Sequence, residues 1–406
     1  MPDSLAEPQP STSRNVYVFG LTSFFNDTAT EMAYWVLPAF LISLGAGPAQ
    51  LGLIEGVAES VASFAKLFSG HLSDRLARRK PLVVGGYFVA NAVKPLLAVA
   101  TAWWQILLIR FSDRLAKGVR GAPRDVMVAE SVGKERLGSA YGLIQSMDSA
   151  GAIIGPLAAL LLLAHYSIRS VFWAAAVPGA LAVLVALFGV RETHSGARAV
   201  AAAKPTTGET PNHALPASFY LVLAASTLFS IGNSSDMFLV MRAQNIGIPV
   251  SMAPLLGLVF NITYTLGSWP AGWCSDHAAR RGHSRRWIAA AGYLIFAGVY
   301  FVFGRAPSML SIWLAMAVYG LYYALTQPVL KALVVESVAP EIRGRALGVY
   351  FFATSVATLV ASVITGELWK HQGAALPFYL SAGLAVASAI LLSLARGGAT
   401  QVQSSG

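Results

Sequence analysis

The sequence predicts an all-α membrane protein of twelve transmembrane helices arranged as two pseudo-symmetric six-helix bundles. Three observations carry that prediction. The 406 residues carry only 12% charged side chains and have a mean hydropathy of +0.59, whereas a soluble domain is about 25% charged. Apolar runs recur from Val16 to Leu394, each of about 18 to 25 residues and so long enough to cross a hydrocarbon core of about 30 Å. The second half of the chain also repeats short motifs of the first in the same order.

Taken run by run, the predicted spans are 16–42, 49–70, 81–101, 105–128, 137–163, 169–190, 217–241, 251–273, 287–304, 309–333, 344–367 and 376–395. No series of alternating strands of about ten residues, the mark of a membrane β-barrel, interrupts them. The opening "MPDSLAEPQPSTSRN" is polar and rich in Pro and Ser, without a basic region leading to a cleavage site. Residues 1–15 are therefore expected to be a disordered tail with no signal peptide. The N-terminal bundle is placed at 16–190, a small, polar linker with Pro and Gly at 191–216, the C-terminal bundle at 217–396, and a second tail at 397–406.

Basic residues outside the spans concentrate in alternate loops: Arg75, Arg78, Arg79 and Lys80, then Lys134 and Arg136, then Arg191, Arg198 and Lys204, then Arg280, Arg281, Arg285 and Arg286, then Arg343 and Arg345. The intervening loops offer Arg169, Arg242, Arg305 and Lys370. The positive-inside rule then puts both termini and the linker in the cytoplasm of a multi-pass protein of the cell (inner or plasma) membrane. The formal net charge of +10 reports this topology and argues against a nucleic-acid partner. Cys274 is the single cysteine, so neither an intrachain disulfide nor a thiolate metal cluster is expected.

The repeats fix the internal organisation. "VAESVGKERLGSAYGL" from Val128 matches "VVESVAPEIRGRALGV" from Val334, and "GHLSD" at Gly70 matches "GWCSD" at Gly272. "TSFFNDTATEM" ending at Met32 aligns with "TLFSIGNSSDM" ending at Met237, which sets Glu31 opposite Asp236. Two like halves in the same topology are an architecture of solute transporters, with the site near the midplane.

Charges within spans are the most informative chemistry, because each costs roughly 2.5 to 3.5 kcal/mol at the bilayer centre unless it faces a cavity or a partner. Asp27 and Glu31 lie one turn apart on one face of the first span. Glu55, Glu59 and Lys66 fall within an arc of about 40° on the second, and Lys94 lies on the third. On the fourth, Arg110, Arg114, Lys117 and Arg124 share about 80° of arc, with Asp113 spaced to pair with Lys117. Carboxylates of the first two spans facing cations of the fourth suggest a buried ion-pair network of Asp27, Glu31, Glu55, Glu59, Arg110, Arg114 and Lys117. Two readings of it stand open: a permanent salt-bridge scaffold, or a coupling site in which Asp27 or Glu31 takes up a proton. Asp148 either joins this network or marks a water-filled crevice. Arg120 and Arg124 are expected to snorkel to the cytoplasmic interface.

"GHLSDRLARRK", Gly70 to Lys80, resembles the loop between helices two and three that marks the major facilitator superfamily, G-x-x-x-D-R-x-G-R-[RK]. Asp74, Arg75, Arg78 and Arg79 match it, and Ala77 stands where the pattern has glycine. "GWCSDHAARR", Gly272 to Arg281, resembles a second copy with Asp276 at the acidic position. Through the duplication, the spans and the linker, the resemblance covers essentially the whole chain. It implies the fold of that superfamily, secondary transport by alternating access, a monomer, and a cytoplasmic gate at this loop; a basic loop that only sets topology is the alternative.

"GAIIGPLAA" from Gly151 is similar to the G-x-x-x-G-P signature of proton-coupled antiporters, through Gly151, Gly155 and Pro156; ordinary small-residue packing is the other reading. "RLAKGVRGA", Arg114 to Ala122, is similar to R-x-x-Q-G-x-G-x-A, with Lys117 for Gln and Arg120 for Gly. The helix-four arginine that the family links to proton transfer maps onto Arg114. In the family, helices one, four, seven and ten line the cavity. Asn233, Ser235, Asp236, Asn261, Tyr264, Tyr322, Tyr323 and Gln327 would then offer polar and aromatic contacts to a small-molecule substrate.

The expected activity is therefore proton-coupled antiport, exporting a small organic molecule. Its expected partners are that substrate, protons and the lipid bilayer. Transport of an organic anion over the cationic face of the fourth helix is the alternative, and a non-transporting receptor or scaffold is a reading of another class. Ser and His residues form no nucleophile motif, and no G-x-x-x-x-G-K-[ST] loop occurs, so neither an enzyme nor a cofactor is expected.

Overall fold

The computed structural model describes residues 14–75, 78–132, 137–193, 215–281, 284–338 and 343–394, which are helical without strands. The first span breaks at Trp35 and Val36, just before Pro38, into α1 (Arg14–Tyr34) and α2 (Leu37–Ser43), followed by α3 (Pro48–Arg75). α4 (Lys80–Val93) tightens at Pro95 into a 3₁₀ segment, Lys94–Val99. Next come α5 (Trp103–Glu130), α6 (Leu137–Leu163), and a sixth span split at Ala175 into α7 (Ile168–Ala174) and α8 (Ala176–Gly189). Pro123 in α5 and Pro156 in α6 are accommodated without a break.

The second half runs α9 (Ala217–Gly232), α10 (Met237–Asn245), α11 (Ala253–Arg280), α12 (Arg286–Arg305), α13 (Met309–Glu336), α14 (Arg343–Gln372) and α15 (Ala375–Leu394). Here one predicted span is cut at Gly232-Asn233-Ser234-Ser235, four poor helix formers in succession. Asp236 is left as the N-cap of α10.

Nine stretches among the described residues are long and apolar enough to cross a membrane. The stretches of α1, α3 and α5 lie outside those nine, and they carry Asp27, Glu31, Glu55, Glu59, Lys66, Arg110, Asp113, Arg114 and Lys117. Composition alone under-reads the helices that hold the charge.

Helical contacts divide the described residues into two compact units, one from Met1–Leu37 and Val61–Glu209, the other from Pro38–Ser60 and Thr210–Gly406. α3 thus gives Pro48–Ser60 to the second unit and its remainder to the first. In the first unit α1 packs chiefly on α6 and α8, and α4 on α5. One end is closed by Val16, Phe19, Val83, Tyr87, Met127, Val128 and Ile144. In the second unit α11 packs on α13, and α12 on α13 and α15. Gly320 lets α13 lie against α11, since a Cβ there would meet Thr263 Oγ1, Tyr264 N at 2.6 Å and Phe260 O at 2.8 Å.

Helix ends are completed in kind. Arg169 donates to Ala98 O at 2.6 Å and Ala100 O at 3.0 Å, and Arg242 to Phe303 O at 3.1 Å and Gly304 O at 3.2 Å. Each guanidinium satisfies carbonyls orphaned at the end of its half's third span and meets the negative end of a helix dipole. At the end of each fourth span stands the glutamate of the repeated E-S-V motif. Arg79 pairs with Glu130 at 2.7 Å and Arg285 with Glu336 at 2.9 Å. Glu192 receives the backbone N–H of Arg79 at 2.8 Å and of Lys80 at 3.1 Å, and so caps α4.

The two pairs differ in burial: Arg79 and Glu130 are 7% and 17% exposed, Arg285 and Glu336 19% and 51%. Glu130→Gln should therefore destabilise the protein by about 2 kcal/mol, towards the range for breaking a buried pair. Glu336→Gln should change stability by about 0 to 1 kcal/mol, the contrast being read as melting temperature of the purified protein in detergent. The same measurement checks the helix approach. Gly320→Ala should cost about 1 to 3 kcal/mol, whereas Gly348→Ala, where a Cβ meets nothing within 4 Å, should be neutral or stabilise by about 0.5 kcal/mol.

Candidate functional site

The acids of α1 are positioned by α6. At Gly151 a Cβ would meet Phe24 O at 2.5 Å and Asp27 Cβ at 3.1 Å, and at Gly155 it would meet Thr28 O at 2.7 Å and Glu31 Cβ at 2.8 Å. Two missing side chains therefore seat α6 directly on the turn that carries both carboxylates. Asn26 Nδ2 donates to Asp27 Oδ1 at 3.0 Å, and Trp35 Nε1 donates to Glu31 Oε2 at 2.7 Å. The charged neighbours of Glu31 are Asp27, Lys117 and Arg114. Asp148, half-buried on α6, joins this group through Asp27, Arg124 and Lys117.

α5 carries the cations. Asp113, which the spacing paired with Lys117, is buried among Lys94 at 3.8 Å, Arg110 at 3.8 Å and Arg114 at 3.9 Å. Its short side chain turns toward the 3₁₀ segment, while Lys117 is exposed. Lys94 donates to Asn91 Oδ1 at 3.0 Å, and Asn91 Nδ2 to Asn26 Oδ1 at 3.1 Å. One polar chain thus links α5 to the α1 acids. Arg110 also lies over the Tyr34 ring, 5.6 Å from its centroid.

Arg120 does not snorkel. It is buried with its guanidinium 4.3 Å from the Tyr87 ring centroid, in space that the missing Cβ of Gly86 provides. Arg124 pairs with Asp125 at 3.0 Å and reaches Ser23 Oγ at 3.5 Å. Helix periodicity placed Arg124 on the shared face but could not show that Ser23 receives it or that Tyr87 and Gly86 receive Arg120.

In the second unit the broken seventh span sets the site. Asp236 accepts from Tyr319 OH at 2.7 Å and from Tyr323 OH at 3.1 Å. Ser235 Oγ donates to Glu55 Oε2 at 3.3 Å, Ser235 N to Ser362 Oγ at 3.3 Å, and Asn233 Nδ2 to Tyr322 OH at 3.2 Å. Glu55 is 1% exposed, and it and Glu59 lie on the part of α3 that belongs to this unit. The two are the charged groups acting most on Asp236. Asn261 is buried and Tyr264 half-buried on α11, and Gln327, one turn beyond Tyr323, is exposed. Tyr319 and Tyr300 escaped the sequence reading; their spacing from the fourth-span motif, matched to Asp113 and Lys94 of the first half, was the available signal.

Of the loop motif, Arg79 is buried against Glu130, and Arg78 is exposed beside a groove of about 480 Å³ that it shares with Lys80, Leu187 and Glu192. Gly70, Asp74 and Arg75 fall in the last turns of α3 and Asp276 in α11; their side chains lie outside the described residues.

Comparison with known proteins agrees with this architecture. A family model described as Major Facilitator Superfamily matches residues 19–241 and 219–404. An uncharacterized MFS-type transporter of Methanocaldococcus jannaschii is 33% identical over 392 residues, 94% of each chain. The multidrug resistance protein MdtG of Escherichia fergusonii is 31% identical over 185 residues, 44% of this chain and 45% of its own. Among solved structures, a POT family transporter in complex with a thioalcohol-conjugated peptide superposes with a TM-score of 0.79 at 12% identity, covering 94% of this chain and 95% of that one. A bacterial homolog of the human lysosomal transporter Spinster does so with 0.71 at 14% identity over 96% of both. Two copies of one helical scaffold and a match that runs the length of the chain lead to one conclusion: the protein belongs to the Major Facilitator Superfamily of membrane transporters.

Proposed function

We propose that this transporter exchanges a small organic molecule for protons, exporting it across the cell membrane by alternating access of its two halves. In this reading the protein works as a monomer with both termini in the cytoplasm. The observation that carries the coupling is the seating of α6 on the turn of α1 that holds Asp27 and Glu31, at Gly151 and Gly155, with Lys117 and Arg114 among the charged neighbours of Glu31. A carboxylate held near cations in a low-dielectric setting stays ionised while they are close and takes up a proton when they withdraw. Such a withdrawal requires α5 to shift relative to α1 within the first unit as the halves alternate. The name of the partial relative MdtG, a multidrug resistance protein, agrees with efflux.

A second reading, transport of an organic anion, is favoured by Lys94, Arg110 and Arg114 gathering around Asp113. Single replacement of Arg114 and of Lys117 separates it from the first, because loss of binding for anionic but not neutral probes would support it.

The coupling is tested in proteoliposomes under an imposed pH gradient, screened with labelled organic anions and lipophilic cations. Asp27→Asn and Glu31→Gln should each lower gradient-driven uptake at least tenfold while leaving substrate-for-substrate exchange without a gradient within about threefold of wild type. If both variants respond to the gradient as the wild type does, these acids are a permanent scaffold and the coupling lies elsewhere.

A further inference from the structure

The register between the two halves shows what each carries at the same place. The motif that matches Glu130 to Glu336 runs back through α5 and α13 without a gap, matching Arg120 to Thr326, Lys117 to Tyr323 and Asp113 to Tyr319. Contacts uphold that register. Gly86 of α4 lies on Ala116 and Arg120, and Gly292 of α12 lies on Tyr322 and Thr326, the matched positions. Continued through α4 and α12, the register matches Lys94 to Tyr300 and keeps a tyrosine at both Tyr87 and Tyr293.

Glu31 and Asp236, matched through the first spans of each half, therefore have different surroundings at equivalent positions. Glu31 has Lys117 among its charged neighbours. At the place of Lys117, Asp236 has the Tyr323 hydroxyl at 3.1 Å. At the places of Lys94 and Asp113 the second half has Tyr300 and Tyr319, whose ring centroids are 6.1 Å apart. The charges that act most on Asp236, Glu55 and Glu59, are of its own sign. Where the first half supplies its own cations, the second supplies phenol rings.

The rings are arranged as a wall. Tyr323 meets Phe260 edge to face at 5.1 Å, Tyr264 at 5.8 Å and Tyr319 at 5.5 Å. Asp236, Tyr323 and Tyr264 are only half-buried, so each residue keeps part of its surface uncovered. Three residues before Asp236, Asn233 Oδ1 is buried without a hydrogen-bond partner. Aromatic faces and a carboxylate are what an ammonium or phosphonium group needs once it leaves water. A bound anion would instead meet the Asp236 carboxylate.

We propose that Asp236, Tyr323 and Tyr264 bind the positive group of an organic cation, with the buried Tyr319 holding the carboxylate in place through its hydroxyl, which makes the transported molecule cationic. The assignment rests on the transporter reading above and concerns its substrate class.

The test is equilibrium binding to the purified full-length protein of tetraphenylphosphonium and of tetraphenylborate, which have the same shape and opposite charge. The phosphonium should bind saturably and more tightly than the borate. Asp236→Asn should weaken the phosphonium at least tenfold without weakening the borate. Tyr323→Leu should weaken the phosphonium several-fold and Tyr323→Phe should stay within twofold of wild type, a dependence on the ring that a structural role of the hydroxyl would not produce. Where Asp236→Asn fails to fold, as read by melting and size exclusion, the two Tyr323 variants decide. Absent or charge-blind phosphonium binding in the wild type, unchanged binding in folded Asp236→Asn, or equal binding in Tyr323→Leu and Tyr323→Phe overturns the proposal. Phosphonium binding that depends on Asp236 but movement that ignores a pH gradient supports the site and overturns the antiport reading instead.

Discussion

Asp113 lies buried among Lys94, Arg110 and Arg114 at 3.8 to 3.9 Å, and the first unit is organised around keeping those charges together. An ionised group moved from water into a low-dielectric interior loses several kcal/mol unless partners replace its hydration. The local structure follows from that requirement. The third span tightens to 3₁₀ where Lys94 must reach Asp113, and Asn91 bridges Lys94 to Asn26. Gly86 is bare where Arg120 must pass to lie on Tyr87. Gly151 and Gly155 are bare where α6 must close over Asp27 and Glu31. Each glycine removes a Cβ that would hold a charged residue away from its partners.

The second unit shows that the scaffold does not itself require those charges. Its α12 and α13 approach through Gly292 as α4 and α5 do through Gly86, and its fourth span ends in Glu336 paired to Arg285 as the earlier one ends in Glu130 paired to Arg79. Its Arg242 caps a helix end as Arg169 does. Yet the interior positions are tyrosine and threonine, and Tyr293, Phe296, Tyr300, Tyr319 and Tyr322 fill the bundle with ring contacts at centroid distances of 3.9 to 6.2 Å. One set of backbone contacts thus carries an ionic interior in one half and an aromatic interior in the other.

Much of this was legible in the sequence because it rests on periodicity and repetition. The spans follow from runs of apolar residues, the duplication from "VAESV" and "VVESV", and the shared face of Arg110, Arg114 and Lys117 from 100° per residue. The Glu31 and Asp236 match came from aligning two eleven-residue segments. Partner choice was not legible. Spacing along α5 offers Asp113 to Lys117, but the structure gives it Lys94, which is near in space through a change of helix type that a hydropathy profile does not register. The rule that long cations snorkel fails for Arg120 because a glycine on another helix makes room for it, and no property of α5 alone reveals that. The break that follows Gly232 was written in Gly-Asn-Ser-Ser, but inside an apolar run those residues read equally as a polar patch on a continuous helix.

That break gives the two matched acids different mechanical settings. Glu31 sits in an unbroken α1, pressed by α6 at Gly155 and held by Trp35, so its place is fixed by two rigid elements. Asp236 caps a nine-residue helix after a non-helical turn. The turn is held by Ser235 at three points, to Glu55 of α3, to Ser362 of α14, and to its own following N–H at Met237, and by Asn233 to Tyr322 of α13. Hydrogen bonds of 3.3 Å made by one small side chain and its amide are weak restraints beside close-packed helices. A displacement of α3 against α14 reaches Asp236 through the neighbouring Ser235, and with it the geometry of the carboxylate toward Tyr319 and Tyr323. An acid on a rigid helix suits a group whose partners move past it, and an acid on a broken one suits a group that must itself follow a ligand.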